Sequence, residues 1–268
     1  MTDIRHPAVA GRFYPADPET LRTDVEIYLH SSHPKSFALG CVVPHAGYIY
    51  SGHVAGAVLS QVEIPSRVIL MCPNHTGRGV PLAINLQGSW ETPLGKVAID
   101  SDLASQLRQA FPLLYDDTEA HRTEHAAEVE LPFLQVLHPN LKFVPIAIGT
   151  GDFATLEGLG HAIANVITDA GNVLIIASSD MNHYESDAVT RIKDHKAIEK
   201  ILALDTRGLH DVVQQDNITM YGYGPTVAML TAARQLGARS AELVKYATSG
   251  DISGDRDMVV GYAGIRVD

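Results

Sequence analysis

Val173-Leu174-Ile175-Ile176-Ala177-Ser178-Ser179-Asp180-Met181-Asn182-His183 is an apolar, β-branched run that ends in a small polar turn carrying a histidine. Two other stretches repeat the arrangement. They are Cys41-Val42-Val43-Pro44-His45-Ala46-Gly47-Tyr48 and Val68-Ile69-Leu70-Met71-Cys72-Pro73-Asn74-His75. In open α/β sheets, ligands sit just beyond the carboxyl ends of the strands. If the three runs are parallel strands, His45, His75, His183 and Asp180 fall around one pocket. Each histidine taken alone is explained as well by capping a strand end. Three at equivalent positions beside a carboxylate point to metal or acid–base chemistry.

Outward from these runs, strands alternate with helices. Asp17-Pro18-Glu19-Thr20 opens a helix to about His30, with Asp as N-cap and Pro in the first turn. Ser51–Gln61 reads as a helix capped by Ser51. Ser101 and Asp102 start another through Ala110, and Glu124–Leu137 reads as a helix bent at Pro132. Lys142–Ile148 is a strand, and Phe153–Ala170 a long helix closed by Gly171. Asp187–Ala203, Leu209–Gln214 and Pro225–Leu236 are further helices. Leu243–Tyr246 and Val259–Ile265 are strands around a Gly/Asp-rich loop, and Pro81–Asp100 suits an antiparallel addition. The alternation predicts one α/β domain over residues 1–268, with a mostly parallel central sheet flanked by helices.

Composition narrows the function. The chain has 268 residues and a formal net charge of −11, which argues against nucleic acid and anionic membranes as partners. No run approaches 18 apolar residues and nothing at the N-terminus resembles a signal peptide. Cys41 and Cys72, the only two cysteines, sit in or at the end of apolar runs and suit a reducing compartment. These readings together predict a cytoplasmic protein.

The turns around the histidines are built for presentation. Pro44 and Gly47 bracket His45, and Cys72-Pro73-Asn74-His75-Thr76-Gly77 has the same build. Two such histidines can supply two legs of a metal site, and a 2-His-1-carboxylate face suits non-haem Fe(II). Two neutral imidazoles moving protons without metal are the alternative. Asp180 offers an oxygen ligand and His183 an acid–base partner. In Glu124-His125-Ala126-Ala127-Glu128, Glu128 is placed to orient His125 or to approach a metal itself. Two acids in a first helical turn also simply favour the helix dipole. His121-Arg122-Thr123-Glu124-His125 matches the H-x-x-E-H pattern of some metalloproteases, a short pattern in a chain with 13 histidines. Gly222-Tyr223-Gly224-Pro225-Thr226 is a Gly-rich turn into a helix that lacks the Lys and Ser/Thr of a phosphate loop.

Taken together, these motifs give a chain that resembles the Memo family. Its bacterial and archaeal members are catalogued as protein B of the AmmeMemoRadiSam system. The matching pieces are Ala10-Gly11-Arg12-Phe13-Tyr14-Pro15, Pro44-His45-Ala46-Gly47-Tyr48, Pro73-Asn74-His75, Glu124-His125 with Glu128 and Leu131-Pro132, Ser178-Ser179-Asp180 with His183, Gly222 with Pro225, and Val260-Gly261-Tyr262-Ala263. They keep their order from end to end. The resemblance implies a fold similar to class III extradiol dioxygenases and a pocket built from His45, His75, His125, Asp180 and His183. It also implies iron or copper bound through two histidines that fall on His45 and His75.

The family's third ligand is a Cys, and here Tyr221 stands in its place. Loss of a soft thiolate weakens the case for copper and favours Fe(II). The metal set expected is therefore His45, His75 and Tyr221, with Asp180 or His183 as substitutes for Tyr221. The catalytic set expected is His125, His183 and Asp180, with His125 and His183 moving protons. The expected activity is that of a dioxygenase-type oxidoreductase on a small-molecule or peptide ligand, with a functional link to a radical-SAM protein. The alternatives are a binding or signalling module with a vestigial metal pocket, and a metalloprotease using His121 and His125.

Overall fold

Five mutually parallel strands form the centre of the molecule, in the spatial order Gly95–Ile99, Lys142–Ile148, Arg67–Pro73, Leu174–Ser178 and Gly40–Val43. The computed structural model describes residues 3–268. Arg67–Pro73, Lys142–Ile148 and Leu174–Ser178 are almost continuous apolar runs because both faces of a parallel sheet are covered. Their side chains alternate between two cores. Val42, Ile69, Met71, Val144, Ile146 and Ile175 face one, with the helices Phe153–Ala170 and Tyr223–Gln235. Cys41, Val43, Leu70, Cys72, Phe143 and Ile176 face the other, with Pro18–Tyr28, Tyr48–Leu59 and Leu131–Leu137.

Antiparallel strands finish both sides. Val259–Val267 pairs with Gly40–Val43, and Ala241–Thr248 pairs with Val259–Val267. Ser89–Thr92 forms a hairpin with Gly95–Ile99, the antiparallel addition expected between Pro81 and Asp100. Cys41 and Cys72 are both buried and free, and burial pushes their thiols up. Among the described residues, no helix is long and apolar enough to cross a membrane.

Several helix boundaries differ from the sequence expectation. The second helix begins at Tyr48 with Gly47 as its N-cap, and Ser51 lies inside it, donating to the Ala46 carbonyl at 3.0 Å. Residues 124–127 are not helical. A short 3-10 turn, Glu128–Glu130, leads into an α-helix over Leu131–Leu137. Pro132 therefore opens a helix rather than bending one, as suits a residue with no N–H to donate in the first turn. The Gly/Asp-rich stretch holds a brief helix, Ser249–Ser253, with a Thr248–Asp251 capping box and Gly254 left-handed at its end.

The topology decides the site. Leu174–Ser178 lies between Arg67–Pro73 and Gly40–Val43, with Val43 opposite Ser178 and Met71 opposite Ala177. Three neighbouring strands thus end at nearly one level. The turns that follow them, bearing His45, His75 and Asp180, are adjacent.

Candidate metal centre

His45 is 1% exposed, and its polar contacts are to the end of the strand Leu174–Ser178 and the turn that follows it. Its backbone N–H donates to Asp180 Oδ1 at 2.7 Å, which ties the first strand-end turn to the third. Its ring Nδ1 lies 2.9 Å from Ser178 Oγ. Ser178 in turn donates to the Ala126 carbonyl at 2.6 Å. Nε2 is buried and has no hydrogen-bond partner among the described residues, although Asp180 Oδ2 is 4.0 Å away. Burial, with the neighbouring His75, holds the imidazole well below the usual histidine range, so the ring is neutral with a free lone pair.

His75 and His125 complete a trio. One ligand nitrogen from each of His45, His75 and His125 lies within 4.8 Å of the others. The His75 and His125 rings stack at 4.9 Å and 20°, and His45 stands edge-on to both, at 5.2 Å and 5.5 Å. Glu124 organises the pair. It accepts from the His75 backbone N–H at 2.7 Å, lies 2.9 Å from His75 Nδ1, and is 3.5 Å from His125 Nδ1. Burial pushes the Glu124 carboxyl up, but His75, the Ala126 N–H and His125 outweigh it and bring it to about 2. Burial takes His125 down to about 4, with His45 adding to the effect. Three imidazoles, two of them held neutral by burial, with carboxylate or hydroxyl partners on the Nδ1 side of His45 and His75, are a donor set that suits a transition metal.

The remaining sequence candidates line the same cleft, which has a volume of about 480 Å³. Asp180 is buried beside His45, and burial raises its carboxyl. His183 Nδ1 lies 2.8 Å from the Met181 carbonyl and 3.0 Å from that of Thr219, so Nδ1 carries a proton. Tyr221 is at the rim, 53% exposed, with its ring 5.5 Å from both His75 and His183. Phe13, from the N-terminal motif, packs on His125 at 4.7 Å. The structure thus brings together the six residues of the expected metal and catalytic sets. It places His125, expected to move protons, at ligand distance from His45 and His75.

Two expectations are corrected. Glu128 neither orients His125 nor approaches the trio. It accepts hydrogen bonds from Arg5, the Ala8 and Val9 N–H groups and Tyr14, and so clasps the N-terminal segment. Glu124 is the carboxylate at the trio and it orients His75, which sequence spacing did not reveal because the two are far apart along the chain. The H-x-x-E-H reading also fails. Residues 121–127 are turns and not a helix, so His121 and His125 share no helical face. His121 is buried against Trp90, at 5.5 Å, outside the trio. The Gly222 turn has a packing role, since a Cβ there would collide with Ser179. Ser178 and Glu124 are the polar groups that local sequence reading left without roles.

A family model described as Memo-like protein matches residues 5–266. A MEMO1 family protein of Methanopyrus kandleri is 44% identical, over 97% of this chain and 98% of the relative. One from Methanothermobacter thermautotrophicus is 41% identical, over 97% and 99%. One from Saccharolobus solfataricus is 42% identical, over 98% of each. Among solved structures, an uncharacterized protein from Escherichia coli K12 has a similar fold. Its TM-score is 0.52 at 12% identity, covering 83% of this chain and 98% of that one.

Proposed function

This chain belongs to the Memo family, and from that premise we propose that it holds a transition metal, iron, at His45, His75 and His125 and acts as a dioxygenase-type oxidoreductase. The observation that carries the reading is the buried Nε2 of His45, unpartnered among the described residues, within a cluster of three imidazoles. A buried polar atom with no partner is costly unless something absent from the chain satisfies it. We assign the third ligand place to His125, with Tyr221 a phenol at the rim. Three imidazoles suit iron, zinc or copper; the family resemblance points to iron or copper, and Tyr221 in place of the soft thiolate favours iron.

A bound iron would supply Lewis acidity and a one-electron redox change. The chain supplies the rest. Glu124 and Ser178 hold the imidazoles of His75 and His45 by their Nδ1 sides. His183, with its Nδ1 proton committed to carbonyls, keeps Nε2 free to accept a proton from a small-molecule or peptide ligand in the cleft. Phe13 and Tyr221 give the cleft apolar surface beside the histidines. A functional link to a radical-SAM protein belongs to the same proposal, through the family alone.

The test is metal analysis of protein purified without added metal, followed by anaerobic Fe(II) titration. The wild type should bind one metal per chain. His45→Ala and His75→Ala should lose it, and His121→Ala should keep it. Equal metal content in wild type and both site variants would overturn the metal site. A site that binds Fe(II) but never consumes oxygen with catechol-like compounds would overturn the activity and favour a binding module.

A further inference from the structure

Glu130 is 1% exposed and faces no cation among the described residues. It ends the 3-10 turn Glu128–Glu130, and the Arg5 guanidinium beside that turn is taken by Glu128. Its Oε2 has no partner among the described residues, and its Oε1 lies 3.1 Å from Ser178 Oγ. The titratable groups that feel it are Asp180, Tyr48, Cys41 and Cys72, none of which is a cation. An ionised carboxylate in that position would be both uncompensated and half unbonded.

Ser178 decides where the protons lie. A hydroxyl has one hydrogen and two lone pairs. The 2.6 Å contact with the Ala126 carbonyl takes the hydrogen, because a carbonyl can only accept. The other two neighbours, His45 Nδ1 at 2.9 Å and Glu130 Oε1 at 3.1 Å, must then both donate. Glu130 can donate only as a carboxylic acid. Burial pushes its carboxyl well above the usual range, in the same direction.

We propose that Glu130 is a positioning residue, held as a neutral carboxylic acid, that acts through Ser178 to fix the His45 imidazole with its proton on Nδ1 and its Nε2 lone pair presented to the trio. The two arms of the trio are then set differently. A charged carboxylate, Glu124, orients His75, and a neutral acid orients His45 through a hydroxyl. The inference rests on the metal-site reading for its purpose, but its first measurement does not.

That first measurement is made on the metal-free protein at neutral pH. The infrared difference between wild type and Glu130→Gln should show the carbonyl band of a protonated carboxylic acid, and nitrogen-15 NMR should place the His45 proton on Nδ1. The second measurement is Fe(II) affinity. Glu130→Gln donates through its amide and should stay within a few-fold of wild type. Glu130→Leu, folded by circular dichroism, should lose about 10–100-fold. No protonated-acid band, or a His45 proton on Nε2, overturns the proposal whether or not the protein binds metal. Equal affinity in Glu130→Leu and wild type overturns the positioning role. If Glu130→Leu does not fold, a loss in Glu130→Gln as large as that in Ser178→Ala overturns it as well.

Discussion

Glu124 grips His75 twice, accepting from the backbone N–H at 2.7 Å on one oxygen and lying 2.9 Å from ring Nδ1 on the other. The two residues sit 49 positions apart, so the contact locks the strand-end turn of Arg67–Pro73 to the loop that carries His125. A single carboxylate thereby sets the orientation of one histidine and the position of its neighbour. Glu124→Gln keeps the shape but replaces one acceptor oxygen with an amide donor and removes the charge. Fe(II) affinity, read by anaerobic titration against a competing chelator, should fall about 10–100-fold. Unchanged affinity would show that His75 does not need this partner.

Glu128 should matter for stability rather than for metal. It accepts from Arg5 at 2.7 Å, Ala8 N–H at 2.8 Å, Val9 N–H at 3.0 Å and the Tyr14 hydroxyl at 2.6 Å, all with no exposure of its side chain. Removing one partner of a buried, hydrogen-bonded ion pair costs roughly 3–5 kcal/mol. Glu128→Gln should lower unfolding stability by an amount of that order in a urea titration. It should also loosen Phe13, which rests on His125 and belongs to the segment that Glu128 clasps. Amide exchange across residues 8–14 should rise. A stability loss under about 1 kcal/mol would mean that water replaces the clasp at little cost.

What could be read from the sequence followed the reach of each interaction. The parallel strands were legible because their burial on both faces is written locally, as unbroken apolar runs in Arg67–Pro73, Lys142–Ile148 and Leu174–Ser178. His45 and His75 were legible because proline and glycine around them announce a presented turn. The non-helical course of residues 124–127 was not legible. Local spacing there favours a helix, but the Glu124 side chain is committed to His75 and the Glu128 side chain to the N-terminus, and both contacts are distant in sequence. The exchange of roles between Glu124 and Glu128 has the same cause. The position of His125 beside two imidazoles also depends on which strands neighbour each other, and the central place of Leu174–Ser178 is a property of the topology.

Gly222 should not tolerate a side chain. A Cβ there would overlap both the side chain and the Cα of Ser179, in the turn that leads from Ser178 to Asp180. Gly222→Ala must therefore push the Tyr221 turn away from the strand-end turn, in an interior packed too tightly to absorb it. The expected loss is roughly 1–3 kcal/mol of stability, with a matching loss of metal affinity because Asp180 anchors the His45 backbone. Gly237→Ala, at a helix end with open space around it, is the control for a general effect of alanine, although its positive φ carries some strain of its own. Equal behaviour of the two variants would count against the packing argument.

His121 gives the protein a dependence on pH that has nothing to do with metal. It is 1% exposed, neither ring nitrogen has a hydrogen-bond partner among the described residues, and it packs edge-on to Trp90. Burial, with the Arg5 guanidinium nearby, lowers its pKa to about 4. In the unfolded chain a histidine takes its proton near ~6.5. Between those values the unfolded state binds more protons than the folded one, so stability rises with pH. The contribution is complete above about 6.5 and is lost as pH falls toward 4. From pH 8 to pH 5 the loss from this one group is about 2 kcal/mol. His121→Phe keeps a ring against Trp90 and has no proton to take. Urea unfolding of the metal-free variant should therefore show a shallower decline between pH 6.5 and 5 than the wild type. His125, His45 and His53, which burial also lowers, add to the decline that remains, and Asp194, raised by burial to about 7, works against it. An identical slope in wild type and His121→Phe would mean that His121 is charged in the folded protein, and so has a partner on one of its ring nitrogens.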